Sequence, residues 1–176
     1  MMAIIALLCL NFKGHAQQDQ VAAVKLGRKL PENFWQTPHQ VYKNGQVTTQ
    51  TLNSFRDRLL ILDFWATWCS SCTRKFKYMD SLQQKFGDDV AIVLVNAKST
   101  RDDVKKITAT MKRFNDVFMS ITADTLLGEL FPHTSVPHYV WIAGGNLLGT
   151  TGSDFFQKST LEAILARQKK LKTRVQ

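Results

Sequence analysis

The run Leu59-Leu60-Ile61-Leu62-Asp63-Phe64-Trp65 is apolar but for one acid, and it leads closely into Cys69-Ser70-Ser71-Cys72. Beyond the second cysteine, Phe76, Met79, Leu82 and Phe86 recur at helical spacing until Gly87 ends the pattern. A strand with apolar residues on both faces has to lie inside a sheet covered on both sides. The cysteine pair therefore falls at the junction of an interior strand and the helix that follows it. Few folds place two thiols there.

The rest of the chain fits such a sheet. Val90 to Val95 reads as a second buried strand, and Val41 to Val47 as a hairpin turning at Asn44-Gly45, the dipeptide that a type I′ turn favours. Ser99 and Thr100 are candidate caps for a helix with Val104, Ile107, Met111 and Phe114 on one face. Asp124 to Phe131 reads as a short helix stopped by Pro132. His138–Ile142 and Leu147–Thr151 read as strands around Gly144-Gly145-Asn146. Ser159 with Glu162 has the spacing of a capping box for a last helix carrying Leu161, Ile164, Leu165 and Leu171. Alternating strands and helices of this kind imply an α/β sandwich, a mixed sheet with helices on both faces.

At 176 residues and 44% hydrophobic content, the chain has the size and balance of one domain with a real core. The formal charge is +9, but the basic residues are spread along the chain except for Arg167, Lys169, Lys170, Lys172 and Arg174. No nucleic-acid motif accompanies them, so they read as the solvated end of a helix, and no nucleic-acid partner is expected. Ala3–Leu10 is an apolar stretch shorter than the roughly 20 residues of a membrane-spanning helix. It is followed by Gly14-His15-Ala16, small residues where a signal peptidase reads, although no Lys or Arg precedes it. The expected organisation is a signal peptide over 1–16, a linker over 17–29, a domain over 30–170 and a basic tail over 171–176. Cleavage after Ala16 sends the chain to the periplasm or cell envelope and removes Cys9. A lipid anchor on Cys9 is disfavoured by the bulky Leu8 before it. Cys69 and Cys72 then face an oxidising compartment.

A Cys-x-x-Cys pair can bind zinc or carry redox chemistry. Zinc needs two more ligands, and outside the signal the chain offers only His39, His133 and His138, with no second cysteine pair. At a helix N-terminus the free N–H groups and dipole favour a thiolate at Cys69, the species that attacks a disulfide. Cys72 lies one turn on, in reach of Cys69. Asp63 is the other chemical candidate: a lone acid in an apolar strand is costly unless neutral or paired, so its proton affinity should be raised.

Asp63-Phe64-Trp65-Ala66 followed by Trp68-Cys69-x-x-Cys72, with Ser135-Val136-Pro137 ahead of a strand, resembles the thioredoxin superfamily. The closest flavour is its exported TlpA- and ResA-type reductases. Gly145, Gly152 and the opening Leu30-Pro31-Glu32-Asn33-Phe34 fit the same branch. The resemblance implies a thioredoxin-like three-layer sandwich with an N-terminal β-hairpin, and a redox disulfide between Cys69 and Cys72. It makes Cys69 the attacking thiol, Cys72 the resolving one and Asp63 the acid that exchanges a proton with Cys72. Trp68, Val136 and a cis Pro137 would contact the substrate chain. The activity implied is thiol–disulfide oxidoreduction, chiefly reduction of protein disulfides, with oxidase, isomerase or a binding module without turnover as alternatives. No cofactor or metal is implied; a membrane thiol donor would supply electrons to a monomer.

The sequence departs from that pattern in two places. Ser70-Ser71 replaces the Gly-Pro or Pro-Pro of relatives, so no redox potential can be borrowed. Arg74, Lys75 and Lys77 follow Cys72, where they either favour the Cys69 thiolate or form a solvated face. His138 is a candidate proton carrier or a structural ring.

Overall fold

The computed structural model describes residues 22–173. The signal segment, its cleavage point, Cys9, residues 17–21 and the last three residues of the basic tail lie outside them. Seven strands form one sheet: β1 (His39–Lys43), β2 (Gln46–Gln50), β3 (Leu59–Phe64), β4 (Val90–Ala97), β5 (Ser120–Asp124), β6 (His138–Ala143) and β7 (Asn146–Thr151). Their order is β2-β1-β5-β4-β3-β6-β7. The central β3, β4 and β5 run parallel, and the flanking pairs are antiparallel. The helices are α1 (Glu32–Gln36), α2 (Ser70–Arg74), α3 (Phe76–Phe86), α4 (Val104–Lys112), α5 (Leu127–Leu130) and α6 (Lys158–Thr173).

Alternation along the central strands builds two cores. Leu59, Ile61 and Trp65 of the β3 segment, with Ile92 and Leu94 of β4, meet Met79 and Leu82 of α3, Met111 of α4 and Leu161 of α6. Leu60, Leu62 and Phe64, with Val93 and Val95, meet Phe34 and Trp35 of α1 and Leu127 and Leu130 of α5. This is why β3 reads as one continuous apolar run: both of its faces are dry, and each fully buried Leu or Ile contributes about 1.5–3 kcal/mol. The expected mixed sheet with helices on both faces is present. So is the N-terminal hairpin, whose Asn44 and Gly45 both take positive φ (51° and 82°) as a type I′ turn requires.

Several local expectations are corrected. β5 has no apolar run to announce it: its buried Ser120, Thr122 and Asp124 are polar, and each has a hydrogen-bond partner. The Ser120 hydroxyl accepts from the Trp65 indole at 3.0 Å, Thr122 donates to the Gln40 carbonyl, and Asp124 accepts the amides of Leu127 and Gly128 to cap α5. Asp124 thus ends a strand instead of starting a helix. α1, only five residues long, is too short to show a period. α4 is capped by Asp103, whose carboxylate accepts the Lys106 amide at 2.7 Å, not by Ser99 or Thr100. α6 starts at Lys158, whose amide is taken by the Tyr78 hydroxyl, so Ser159 and Glu162 lie inside the helix and form no capping box. Ahead of α1, Val24 and Gly27 donate to the carbonyls of Leu130 and Leu147, and Leu30 to that of Gly145.

Candidate active site

β3 delivers the chain into a tight turn. Trp65 N–H donates to the Val95 carbonyl, and Cys69 N–H closes the turn onto Ala66. Cys69 is the N-cap of α2, and its sulfur accepts the Cys72 amide at 3.2 Å. The two cysteines are joined by a disulfide, S–S 2.06 Å. Both are buried, Cys69 with 5% of its surface exposed and Cys72 with none. The Ser71 hydroxyl lies 3.3 Å from the Cys69 sulfur. The Ser70-Ser71 departure from the family pattern thus places a hydroxyl beside the Cys69 sulfur, a contact that only the helical turn creates.

Asp63 is fully buried, on the same face of β3 as Ile61 and Trp65, facing the core that holds both cysteines. Neither carboxylate oxygen has a hydrogen-bond partner. Burial holds its pKa well above the ordinary carboxylate value, and the positive charge of Lys75 opposes this in part. Of the three cations after Cys72, Arg74 and Lys77 are exposed, while Lys75 turns inward and donates to the Ser153 carbonyl. Across the strand pair from Asp63 stands Tyr139, also fully buried, its hydroxyl without a partner. Burial, then the nearby Asp63, pushes that phenol up, so it stays protonated.

Trp68 projects from the turn with 66% of its surface exposed, its indole N–H held by the Thr100 carbonyl at 3.2 Å. Between Trp68 and Thr100 on one side and His133, Ser135 and Val136 on the other lies a cavity of about 230 Å³. The Val136–Pro137 peptide is cis. His138 stacks on His133 (centroids 4.8 Å apart, planes 10° apart), and His133 packs on Phe64. Burial, then His133, lowers the His138 pKa to about 4, so the ring is neutral near pH 7, with a buried nitrogen left unpartnered. A structural role fits this ring better than a proton carrier. Among the described residues no three His, Cys, Asp or Glu converge as a metal site.

One cluster had no signature in the sequence. Asp102, in the β4–α4 connection, accepts the Thr67 amide at 2.8 Å and its hydroxyl at 2.5 Å. Asn96 donates to Asp102 at 2.8 Å and to the Trp65 carbonyl. Burial raises the Asp102 pKa, but the bonds from Thr67 and Asn96 outweigh it, leaving the carboxylate below its usual value.

Residues 27–128 match the AhpC/TSA family model. The chain belongs to the AhpC/TSA family. The chain is 29% identical over 83 residues to the thioredoxin-like protein YneN of Bacillus subtilis, covering 47% of this chain and 49% of YneN. It is 34% identical over 55 residues to the thiol–disulfide oxidoreductase ResA of Bacillus cereus, covering 31% of this chain and 32% of ResA. These alignments span about half or less of the relatives' own lengths. The fold matches that of the thioredoxin domain of a Bacteroides vulgatus thiol–disulfide oxidoreductase, with TM-score 0.62 at 16% identity over 81% of this chain and 99% of that one. It also matches a secreted disulfide oxidoreductase of Mycobacterium tuberculosis, with TM-score 0.61 at 16% identity over 78% and 99%. This family member therefore has the thioredoxin-like fold that its motif implied.

Proposed function

We propose that this protein is a thiol–disulfide oxidoreductase that reduces protein disulfides. The observation carrying this reading is the Cys69–Cys72 disulfide at the start of α2, beside an open groove, with the sulfur of Cys69 already placed on the Cys72 amide. In the reduced protein, that amide and the helix terminus stabilise negative charge on Cys69. The Cys69 thiolate attacks one sulfur of the substrate disulfide; that bond breaks, and the departing thiolate takes a proton from water. Asp63, once its own buried proton has passed to water, accepts the proton of Cys72, whose sulfur then attacks Cys69. The mixed disulfide breaks, the second substrate sulfur leaves as a thiolate that takes a proton from water, and two electrons have passed from the cysteine pair to the substrate. Trp68 and Val136 line the groove, Pro137 follows Val136 across a cis peptide, and the substrate chain lies against these residues in extended form.

An insulin-reduction assay tests the activity, with Cys69→Ser as the inactive control. The direction follows from the reduction potential of the pair. A value near the ~−270 mV of thioredoxin means a reductase; one near the ~−120 mV of DsbA means an oxidant. Export is part of the same proposal: the mature chain begins at Gln17, works in the periplasm or envelope and is recharged by a membrane thiol donor. N-terminal sequencing of protein from the cell envelope checks it, and intact, reduced protein in the cytoplasm overturns it.

A further inference from the structure

The turn that carries Cys69 is held by a segment distant in sequence. Its two central residues, Thr67 and Trp68, are each bound from residues 100–102. Asp102 takes both the amide and the hydroxyl of Thr67, and the Thr100 carbonyl takes the Trp68 indole. That segment is itself anchored. The Thr100 hydroxyl donates to Asn96 and to the Ala97 carbonyl, and Asn96 donates to Asp102 and to the Trp65 carbonyl. Arg101 stands between the two acceptors with φ 60°, a left-handed conformation that a non-glycine residue holds only where its surroundings impose it. The acceptors on either side of it therefore face the turn together. Trp68 and Thr100 also line the groove beside Val136.

We propose that Asp102 is a positioning residue for substrate recognition: its carboxylate locks the Thr67–Trp68 turn onto the β4–α4 connection and so fixes the width of the groove that receives a polypeptide. This rests on the oxidoreductase reading of the site. The carboxylate suits the task because it carries no hydrogen and accepts three donors at once, two from Thr67 and one from Asn96. Asn in its place keeps one acceptor and turns an N–H₂ toward a donor. By charge alone, removing an anion near the Cys69 turn favours the thiolate, so a gain in activity is what simple electrostatics predicts. The clamp predicts a loss confined to large substrates.

The experiment compares Asp102→Asn, Thr67→Val and Thr67→Ser with the wild type. In Asp102→Asn the Thr67 amide should exchange its hydrogen roughly tenfold faster by NMR, a readout that needs no turnover. KM for insulin should rise roughly tenfold in Asp102→Asn and Thr67→Val, while the rate with a small aromatic disulfide stays within about twofold. Thr67→Ser, which keeps the hydroxyl, should behave as wild type. Unchanged exchange at Thr67, an unchanged KM, equal losses on both disulfides or a failed serine rescue each overturn the clamp. A wild-type protein inactive on both disulfides refutes the oxidoreductase reading instead, and the exchange measurement still judges the clamp.

Discussion

Replacing Asp63 with Asn should stabilise the oxidised protein, and by an amount that grows with pH. The side chain is fully buried with both oxygens unpartnered, so the folded state holds its proton well above the usual range, with Lys75 only partly offsetting the burial. Below the unfolded pKa of about 3.9 both states are protonated, and Asp and Asn differ little. Above it the unfolded chain ionises while the folded one does not, so the unfolded state gains about 1.4 kcal/mol per pH unit until the folded pKa is reached. The penalty at pH 7 is therefore at most about 4 kcal/mol, and Asn removes it. The amide remains buried and unpartnered, as the neutral carboxyl was, so that cost cancels in the comparison. The assay is urea unfolding of both oxidised proteins from pH 3 to 8. The difference between them is what matters, because the lowered pKa of His138 gives the wild type an opposite slope between about 4 and 6.5. Single-turnover reduction should be slower in the variant near neutral pH, since Cys72 loses its proton acceptor. A stability difference that does not vary with pH would refute the burial argument, and an unchanged rate profile would make Asp63 purely structural.

Further expectations follow from individual side chains. Tyr139→Phe removes a buried hydroxyl without a partner and should stabilise the fold by about 1–3 kcal/mol in urea titration; destabilisation would show that the phenol has a partner in solution. His138→Asn should flatten the fall in stability between pH 6.5 and about 4, a window where the unfolded ring takes a proton and the folded one does not, worth up to about 1.4 kcal/mol per pH unit. In the reduced protein, iodoacetamide should label Cys69 well before Cys72, and Cys72→Ser should trap substrates as mixed disulfides where Cys69→Ser traps none; equal labelling defeats the assignment. Ser71→Ala removes the hydroxyl 3.3 Å from the Cys69 sulfur and should slow that labelling roughly threefold to tenfold at pH 7.

Residue order alone is enough for the parts of the molecule whose information is local. The β3 strand reads as interior because its apolar residues must cover two faces; Asn44-Gly45 specifies its turn, and the Cys69–Cys72 spacing fits a single helical turn. Asp63 was legible as a buried acid because an acid within that run has nowhere wet to go. Tertiary structure decided the rest, wherever a polar group finds its partner far along the chain. β5 is hidden because only Ile121 of its four buried residues is apolar, while Ser120, Thr122 and Asp124 are satisfied by Trp65, the Gln40 backbone and the cap of α5. Lys75 reads as one of three surface cations until Ser153, 78 residues on, draws it inward. Asp102 and Thr67, 35 residues apart, carry no periodicity and no motif, and only the packing of β4 beside β3 brings them together. Hydrophobic burial leaves a periodic trace in the order of residues, whereas a hydrogen bond between distant loops leaves none.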